Sequence, residues 1–129
     1  GASCETADTP NSLDRARWKL VELNGRLVGS DASAGAPPPF LQFHSTRGQL
    51  AGSTGCNRFT AEFRTWGASG FSLLSPATTR MACSSPGAEL EPAFLQALGE
   101  ATHRIMAGDS LEFFSAGRPV ARFQAEYLR

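Results

Sequence analysis

Three cysteines and two histidines carry the most reactive side chains of this 129-residue chain. A thiol nucleophile would require that a histidine, His44 or His103, takes the proton of Cys56. Nothing near His44 in the sequence supplies a third side chain that would orient such a base. A structural role for Cys56 is the simpler interpretation. We therefore expect no catalytic residue and no enzymatic activity.

The cysteine count favours one pair and one separate residue, as an odd number usually does in an exported protein. Gly1-Ala2-Ser3-Cys4 resembles the end of a bacterial lipobox, whose cysteine is lipidated after cleavage, although a remnant of cloning before a disordered tail would look similar. If Cys4 carries a lipid, Cys56 and Cys83 remain to form a disulfide. That bridge would close a loop of about 28 residues and stabilise the fold by roughly 3–4 kcal/mol. Two unpaired buried thiols are the alternative.

The same residues do not have the spacing of a metal site. Structural zinc sites take four ligands in closely spaced pairs. The three cysteines are separated by 52 and 27 positions, and the two histidines are isolated. We expect no metal and no cofactor.

The charge balance argues against nucleic acid as a partner. Twelve basic residues offset twelve acidic ones, whereas phosphate binding requires a basic excess on one face. No apolar run approaches the length that crosses a bilayer. We expect a monomer that contacts a membrane through a lipid anchor alone.

Alternating apolar and polar residues predict that most of the chain forms short strands. Phe59, Ala61 and Phe63 alternate with polar neighbours, which is the period of a half-buried strand. Asn24-Gly25 is a strong signal for a tight turn between two strands. About seven or eight such strands with hairpin connections favour an antiparallel sheet that curls to bury its edges.

One helix is predicted near residues 89–101. Its apolar residues recur at helical spacing, at Leu90, Phe94, Leu98 and Ala101. Pro92 is tolerated only in a first turn, and Glu91 favours the positive end of a helix. The predicted fold class is therefore α+β, a partly closed, barrel-like antiparallel sheet with one main helix.

The composition divides the chain into a leader and one domain. Residues 1–14 are polar and predict a flexible tether, and residues 15–129 predict a single domain. Within that domain, Gly29 to Pro39 is rich in glycine, alanine and proline, which predicts a surface loop.

Several short motifs, in order, resemble those of the META/HslJ family. They are Trp18-Lys19-Leu20, Asn24-Gly25, Gly55-Cys56-Asn57, Thr78-Thr79-Arg80-Met81-Ala82-Cys83 and the segment 89–98. The resemblance implies a compact α+β domain found in bacterial envelope lipoproteins and some parasite secreted proteins. It also implies a role in stress response, antibiotic tolerance or secretion, with no established enzymatic activity.

The motif residues Asn57, Thr78, Thr79, Arg80 and Met81 are the candidates for a functional site. Asn57 is expected to form a turn, and the two threonines to cap backbone groups of another. Arg80 could cap carbonyl groups, stack on a tryptophan or hold an anionic ligand with its planar guanidinium group. A structural hydrogen-bond donor is the favoured interpretation of Arg80.

Trp66 and Phe40 are the candidates for a partner-binding surface patch, which requires that Trp66 is exposed. The alternative is that Trp66, as a loop aromatic, folds back over one end of the curled sheet. The function we expect is that of a periplasmic, membrane-anchored lipoprotein that binds an unknown envelope protein. The alternative is a small-ligand binder that uses the mouth of the curled sheet.

Overall fold

The computed structural model describes residues 13–28 and 38–127. In this part of the chain one helix follows six of nine strands. The strands are β1 (Ala16–Leu23), β2 (Arg26–Leu27), β3 (Phe40–His44), β4 (Gln49–Ser53), β5 (Arg58–Trp66), β6 (Gly70–Thr78), β7 (His103–Ala107), β8 (Ser110–Ser115) and β9 (Arg118–Tyr127), and the helix is α1 (Gly87–Glu100). A short 3₁₀ turn, Ser45–Arg47, joins β3 to β4.

The strands form one antiparallel sheet that curls into a partly closed ring. Their order is β2-β1-β3-β4-β5-β6-β7-β8-β9, and β1 also pairs with β9. Closure is weak between β6 and β7, which share the single residue pair Gly70 and His103. The predicted α+β class is confirmed. Nine strands replace the expected seven or eight because even the two-residue β2 pairs with β1.

Irregular positions in the strands help the sheet to curl. In β6, Ser75 and Pro76 together lie opposite the single residue Ala61 of β5, so the register shifts there. Ser75 has a positive φ of 52°, and Pro76 cannot donate a backbone hydrogen bond. An insertion of this kind bends a strand and increases its twist.

Phenylalanine side chains fill the interior of the ring. Seven rings contact one another in a continuous path, in the order Phe43, Phe63, Phe71, Phe113, Phe123, Phe94 and Phe59. The six contacts along this path have distances between ring centroids of 4.6 to 6.2 Å. Such contacts add to the stabilisation that burial of each ring provides.

The helix packs on this aromatic core and on the loop that contains Cys56. Its own residues Phe94 and Leu98 are fully buried in this core. The helix starts at Gly87, two residues before the predicted start, so Pro92 lies beyond the first turn to which the sequence prediction confined it. A Cβ atom at Gly87 would lie 3.1 Å from the carbonyl oxygen of Gly55, so only glycine fits there without displacement.

The fold begins before the predicted domain boundary. Leu13 is buried, and its carbonyl oxygen accepts a hydrogen bond of 3.0 Å from the indole of Trp18. The Asp14 carboxylate accepts bonds from the backbone and hydroxyl of Ser45. The predicted leader at 1–14 is therefore wrong for its last two residues, and residues 1–12 lie outside the described residues.

The predicted hairpin turn is present, and the predicted loop is described only at its end. Asn24 and Gly25 have φ of 52° and 83°, the left-handed pair that a tight hairpin turn requires. Of the segment 29–39, residues 29–37 lie outside the described ranges. Pro39 is buried, and its carbonyl oxygen accepts the N–H of Leu20.

None of the helices among residues 13–28 and 38–127 is both long enough and apolar enough to cross a bilayer.

Candidate functional site

The two cysteine motifs meet at one end of the sheet. Cys56 follows β4, Cys83 precedes α1, and the two form a disulfide with a Cα–Cα distance of 5.8 Å. The structure thus brings together the two sulfur atoms that the cysteine count paired. The bridge joins the connection between β4 and β5 to the loop from Thr79 to Pro86, here called the 79–86 loop.

Asn57 holds the 79–86 loop through its side-chain amide. Its Oδ1 atom accepts bonds from the backbone N–H of Met81, at 2.7 Å, and from the hydroxyl of Thr79, at 2.9 Å. Its Nδ2 atom donates to the carbonyl oxygen of Met81, at 3.3 Å, and to the carboxylate of Glu91, at 3.0 Å. Because Asn57 is only 4% exposed, these bonds replace those that water would make.

Thr54 and Glu91 complete the same network, and sequence reasoning missed both roles. The Thr54 hydroxyl donates to Glu91 at 2.7 Å and accepts the backbone N–H groups of Cys56 and Asn57 at 3.2 and 2.9 Å. Glu91 of α1 therefore ties the helix to the β4–β5 connection, beyond the favourable interaction with the helix terminus that the sequence predicted. A threonine directly before Gly-Cys-Asn was the available signal, since such hydroxyls often bond nearby backbone groups.

The two threonines of the second motif have different roles. The Thr79 hydroxyl accepts the backbone N–H of Arg58 at 3.1 Å, and the backbone N–H of Thr79 donates to the Arg58 carbonyl oxygen at 3.0 Å. Thr78 is instead the last residue of β6 and pairs with Phe59. Its hydroxyl makes no hydrogen bond within the described residues, so the predicted cap at Thr78 is absent.

Arg80 and Met81 point away from this network into solvent. Met81 is 64% exposed, and Arg80 is exposed as well. In the part of the chain that the structure describes, the Arg80 guanidinium makes no hydrogen bond, ion pair or ring contact. The favoured interpretation of Arg80 as a structural donor therefore finds no support in these contacts.

Trp66 and Phe40 do not form the single patch that the sequence suggested. Phe40 is level with Ser53 and Arg58 in the sheet register, and Trp66 lies eight residues beyond Arg58 on β5. That is about 26 Å at the usual strand rise. Trp66 is 56% exposed, and its indole covers the backbone of Gly70 on β6.

The histidines lie apart from the cysteine site. His44 ends β3 at the level of Gln49, the end of β4 opposite to Cys56. His103 begins β7, where its Nδ1 atom lies 2.9 Å from the hydroxyl of Thr102. Among the described residues, no group of three histidine, cysteine or acidic side chains is placed to hold a metal ion.

Comparison with known proteins agrees with the motifs that meet at the disulfide. The META domain matches residues 11–127, nearly the whole chain. The chain belongs to the META domain family. No curated protein matches it.

Two solved structures support this assignment of the META domain. A protein solved by NMR is 27% identical with a TM-score of 0.67, and the alignment covers 90% of this chain and 94% of that one. A Burkholderia xenovorans protein, also solved by NMR, is 25% identical with a TM-score of 0.68, over 91% of this chain and 86% of that one.

A more distant crystal structure shares the fold of this META domain. It is a DUF4847-family protein from Bacteroides vulgatus, 14% identical with a TM-score of 0.63, and the alignment covers 91% of this chain and 96% of that chain. At this identity the likeness shows the fold alone.

Proposed function

We propose that this META domain protein is a non-enzymatic protein of the bacterial envelope that binds another protein. In this proposal it is exported to the periplasm and tethered to a membrane by a lipid on Cys4, which lies outside the described residues. Its role is in stress response or envelope integrity, and it acts as a monomer. The disulfide supports export, since such bonds persist mainly in oxidising compartments.

One observation carries the proposal. The backbone of the 79–86 loop is firmly held, while the side chains of Arg80 and Met81 on it are exposed. Asn57 and the disulfide fix the backbone of the 79–86 loop on both sides of Arg80 and Met81. Neither of these two exposed side chains is needed to hold the loop. Presenting them on a fixed backbone lowers the entropy that binding a partner would cost.

The alternative, a small ligand bound at the mouth of the curled sheet, is not favoured, because such a ligand would have to extend into a filled interior. The seven contacting phenylalanine rings occupy the interior, and the buried residues form one hydrophobic cluster. A ligand there would have to displace closely packed side chains, which is costly in a core of native density.

Site-specific photo-crosslinking in living cells tests the proposed binding. A photoreactive residue at Arg80 or Met81 should give one discrete crosslinked product, identified by mass spectrometry. The same residue at Arg118, the exposed first residue of β9, is the control. Failure of positions 80 and 81 to give more product than position 118 would contradict a role for this loop.

The tether is tested separately by detergent-phase partitioning. The chain is expressed behind a bacterial lipoprotein leader, and a Cys4→Ala variant serves as its control. We expect the parent protein to enter the detergent phase and the variant to stay in the aqueous phase. Aqueous partitioning of both proteins would argue against a lipid on Cys4.

A further inference from the structure

A groove runs over the outer face of the sheet, along β4. It arises from two cross-strand rows of side chains that point away from the core. The strand register places one residue of each strand in a row. The first row is Arg17, Gln42, Ala51, Thr60 and Ala77, and the second is Lys19, Phe40, Ser53 and Arg58.

The size of these side chains explains the groove. On β4 both rows carry small residues, Ala51 and Ser53, whereas Phe40 of β3 and Arg58 of β5 rise on either side. The resulting open cavity has a volume of about 570 Å³. Gly52 lies between the two rows on β4. It faces the core and has no side chain, so it does not obstruct the floor of the groove.

Both walls of the groove carry a positive charge. On one wall the guanidinium of Arg17 lies over the ring of Phe40, 4.5 Å from its centroid. This contact fixes the position of the charge without neutralising it. The nearest acidic neighbour of Arg17 in the register is Glu126 of β9, whose carboxylate lies 3.7 Å from the ammonium of Lys19.

Arg58 supplies the charge on the opposite wall. Its backbone is held by Thr79, and its exposed side chain forms no ion pair within the described residues. No aspartate or glutamate is among the residues that line the groove. Two guanidinium groups thus face a shallow floor, with the side-chain amide of Gln42 and the hydroxyl of Thr60 between them.

We propose, building on the protein-binding function above, that this groove binds an extended acidic segment of the partner. Carboxylate side chains of that segment would pair with Arg17 and Arg58, since a guanidinium fork matches a carboxylate. Its backbone would lie over Ala51 and Ser53, where no side chain obstructs it. Thr79 borders the groove and begins the 79–86 loop, so one partner can contact both.

The shape of the groove favours a peptide over a small ligand. Sites for small ligands usually bury most of the ligand surface in a concave, mostly apolar pocket. This groove is an open channel on a sheet face with charged walls, so a single small anion would stay largely solvated and weakly held. A peptide can engage both arginines at once, which makes the second contact effectively intramolecular.

Titration of ¹⁵N-labelled protein with a capped hexaglutamate peptide, followed by NMR, tests the groove. Chemical-shift changes should concentrate on Gln42, Ala51, Arg58 and Thr60. A capped hexaglutamine peptide should cause no comparable shifts. Free glutamate at the same carboxylate concentration should bind at least about tenfold more weakly, because it cannot span both walls.

Three variants and one control identify the contacts. Arg17→Ala and Arg58→Ala should each weaken hexaglutamate binding at least about fivefold, in line with the loss of a charge-assisted bond. Ala51→Tyr should have a similar effect by filling the floor while leaving all charges in place. Arg64→Ala is the matched control, because Arg64 is another exposed arginine of β5 that lies outside the groove, and it should change binding by less than about twofold. Thermal unfolding of each variant checks that it is folded.

Several outcomes would overturn the groove assignment. They are equal binding by the Arg64 and Arg58 variants, equal shifts with hexaglutamine, equal affinity for free glutamate, or shifts spread over the whole surface. The proposed function can fail independently. Photo-crosslinking at position 80 that captures a partner while hexaglutamate does not bind would reject the groove and keep protein binding. If hexaglutamate binds in the groove but no partner is crosslinked, the groove assignment would stand and the proposed protein binding would be rejected.

Discussion

A single buried amide connects three separate segments of this protein. Asn57 bonds the 79–86 loop through both atoms of its amide and contacts Glu91 of α1. Both the donor and the acceptor of the Asn57 amide are therefore needed to connect these segments. An aspartate at this position would lose the donor and would place a second carboxylate beside Glu91.

Replacing Asn57 should destabilise the fold strongly. Asn57→Ala would leave the backbone N–H of Met81 and the carboxylate of Glu91 without this partner and would empty a buried site, at a cost of about 2–3 kcal/mol. Gln49→Ala removes another side-chain amide, but from an exposed position on β4, and should change stability by less than about 0.5 kcal/mol. Urea unfolding of the two variants measures the difference, and equal stabilities would contradict the role of Asn57.

The only tyrosine of the chain reports on the pairing between the end of β9 and the β7–β8 turn. The Tyr127 hydroxyl donates to the carboxylate of Asp109, and this bond is the main reason that the pKa of Tyr127 is raised above its ordinary 10.0. Slight desolvation of the hydroxyl and the negative charge of Asp109 raise the pKa of Tyr127 further, and Arg15 lowers it. A raised pKa in the folded state means that the contribution to stability is present below pH 10 and is lost as the pH rises through the folded value.

Asp109→Ala should lower the pKa of Tyr127 towards 10.0. With one tyrosine in the chain, the ultraviolet absorbance of the phenolate follows this titration without interference from another phenol. Glu112→Gln removes a carboxylate from β8 and serves as the control, with little effect expected. An unchanged pKa in the Asp109 variant would show that the hydrogen bond does not persist in solution.

At the scale of elements, the sequence predicted strands and a hairpin turn but missed an irregularity within a strand and the contacts between distant elements. Alternation identifies a strand such as β5 because one face is buried, and the Asn24-Gly25 turn follows from the positive φ that both positions adopt. The Ser75-Pro76 irregularity in β6 gave no periodic signal. The role of Glu91 was equally hidden, since a bond from a helix to a distant connection depends on tertiary packing. The groove could not be predicted, because it requires knowledge of which residues share a row.

Two glycines, one in the sheet and one in the helix, differ in whether the structure leaves room for a larger side chain. A Cβ atom on Gly52 of β4 would lie 2.1 Å from the backbone carbonyl oxygen of Phe40, whereas one on Gly99 of α1 would meet nothing within 4 Å. Gly52→Ala should therefore cost about 3 kcal/mol by forcing β3 and β4 apart. Gly99→Ala should instead stabilise the helix by about 0.5 kcal/mol. Thermal unfolding measures both, and a neutral Gly52 variant would contradict the close approach of β3.

For the whole molecule, the residues that stabilise the fold lie inside the ring, apart from the surfaces that we propose for binding. Phenylalanine packing occupies the interior, so the binding we propose would use outer surfaces, namely the 79–86 loop and the groove along β4. The ring has its shortest ladder where β6 and β7 share one pair, and Phe94 of α1 joins the aromatic path between Phe59 of β5 and Phe123 of β9. The helix thus contributes to a core that the sheet alone would leave incomplete.

The disulfide makes the stability of the whole molecule depend on whether its cysteines are oxidised. Cys56→Ser and Cys83→Ser should each cost about 3–4 kcal/mol, or roughly 10–20 °C in Tm, because the unfolded chain loses the same loop constraint in both. The double variant should add little, since the two sulfur atoms act as one unit. Reductant should lower the Tm of the parent protein to that of the variants and leave the variants unchanged. Additive losses, or a parent protein whose Tm does not respond to reductant, would show that the disulfide does not stabilise the fold. The proposal that the protein is exported to an oxidising compartment would then lose this support.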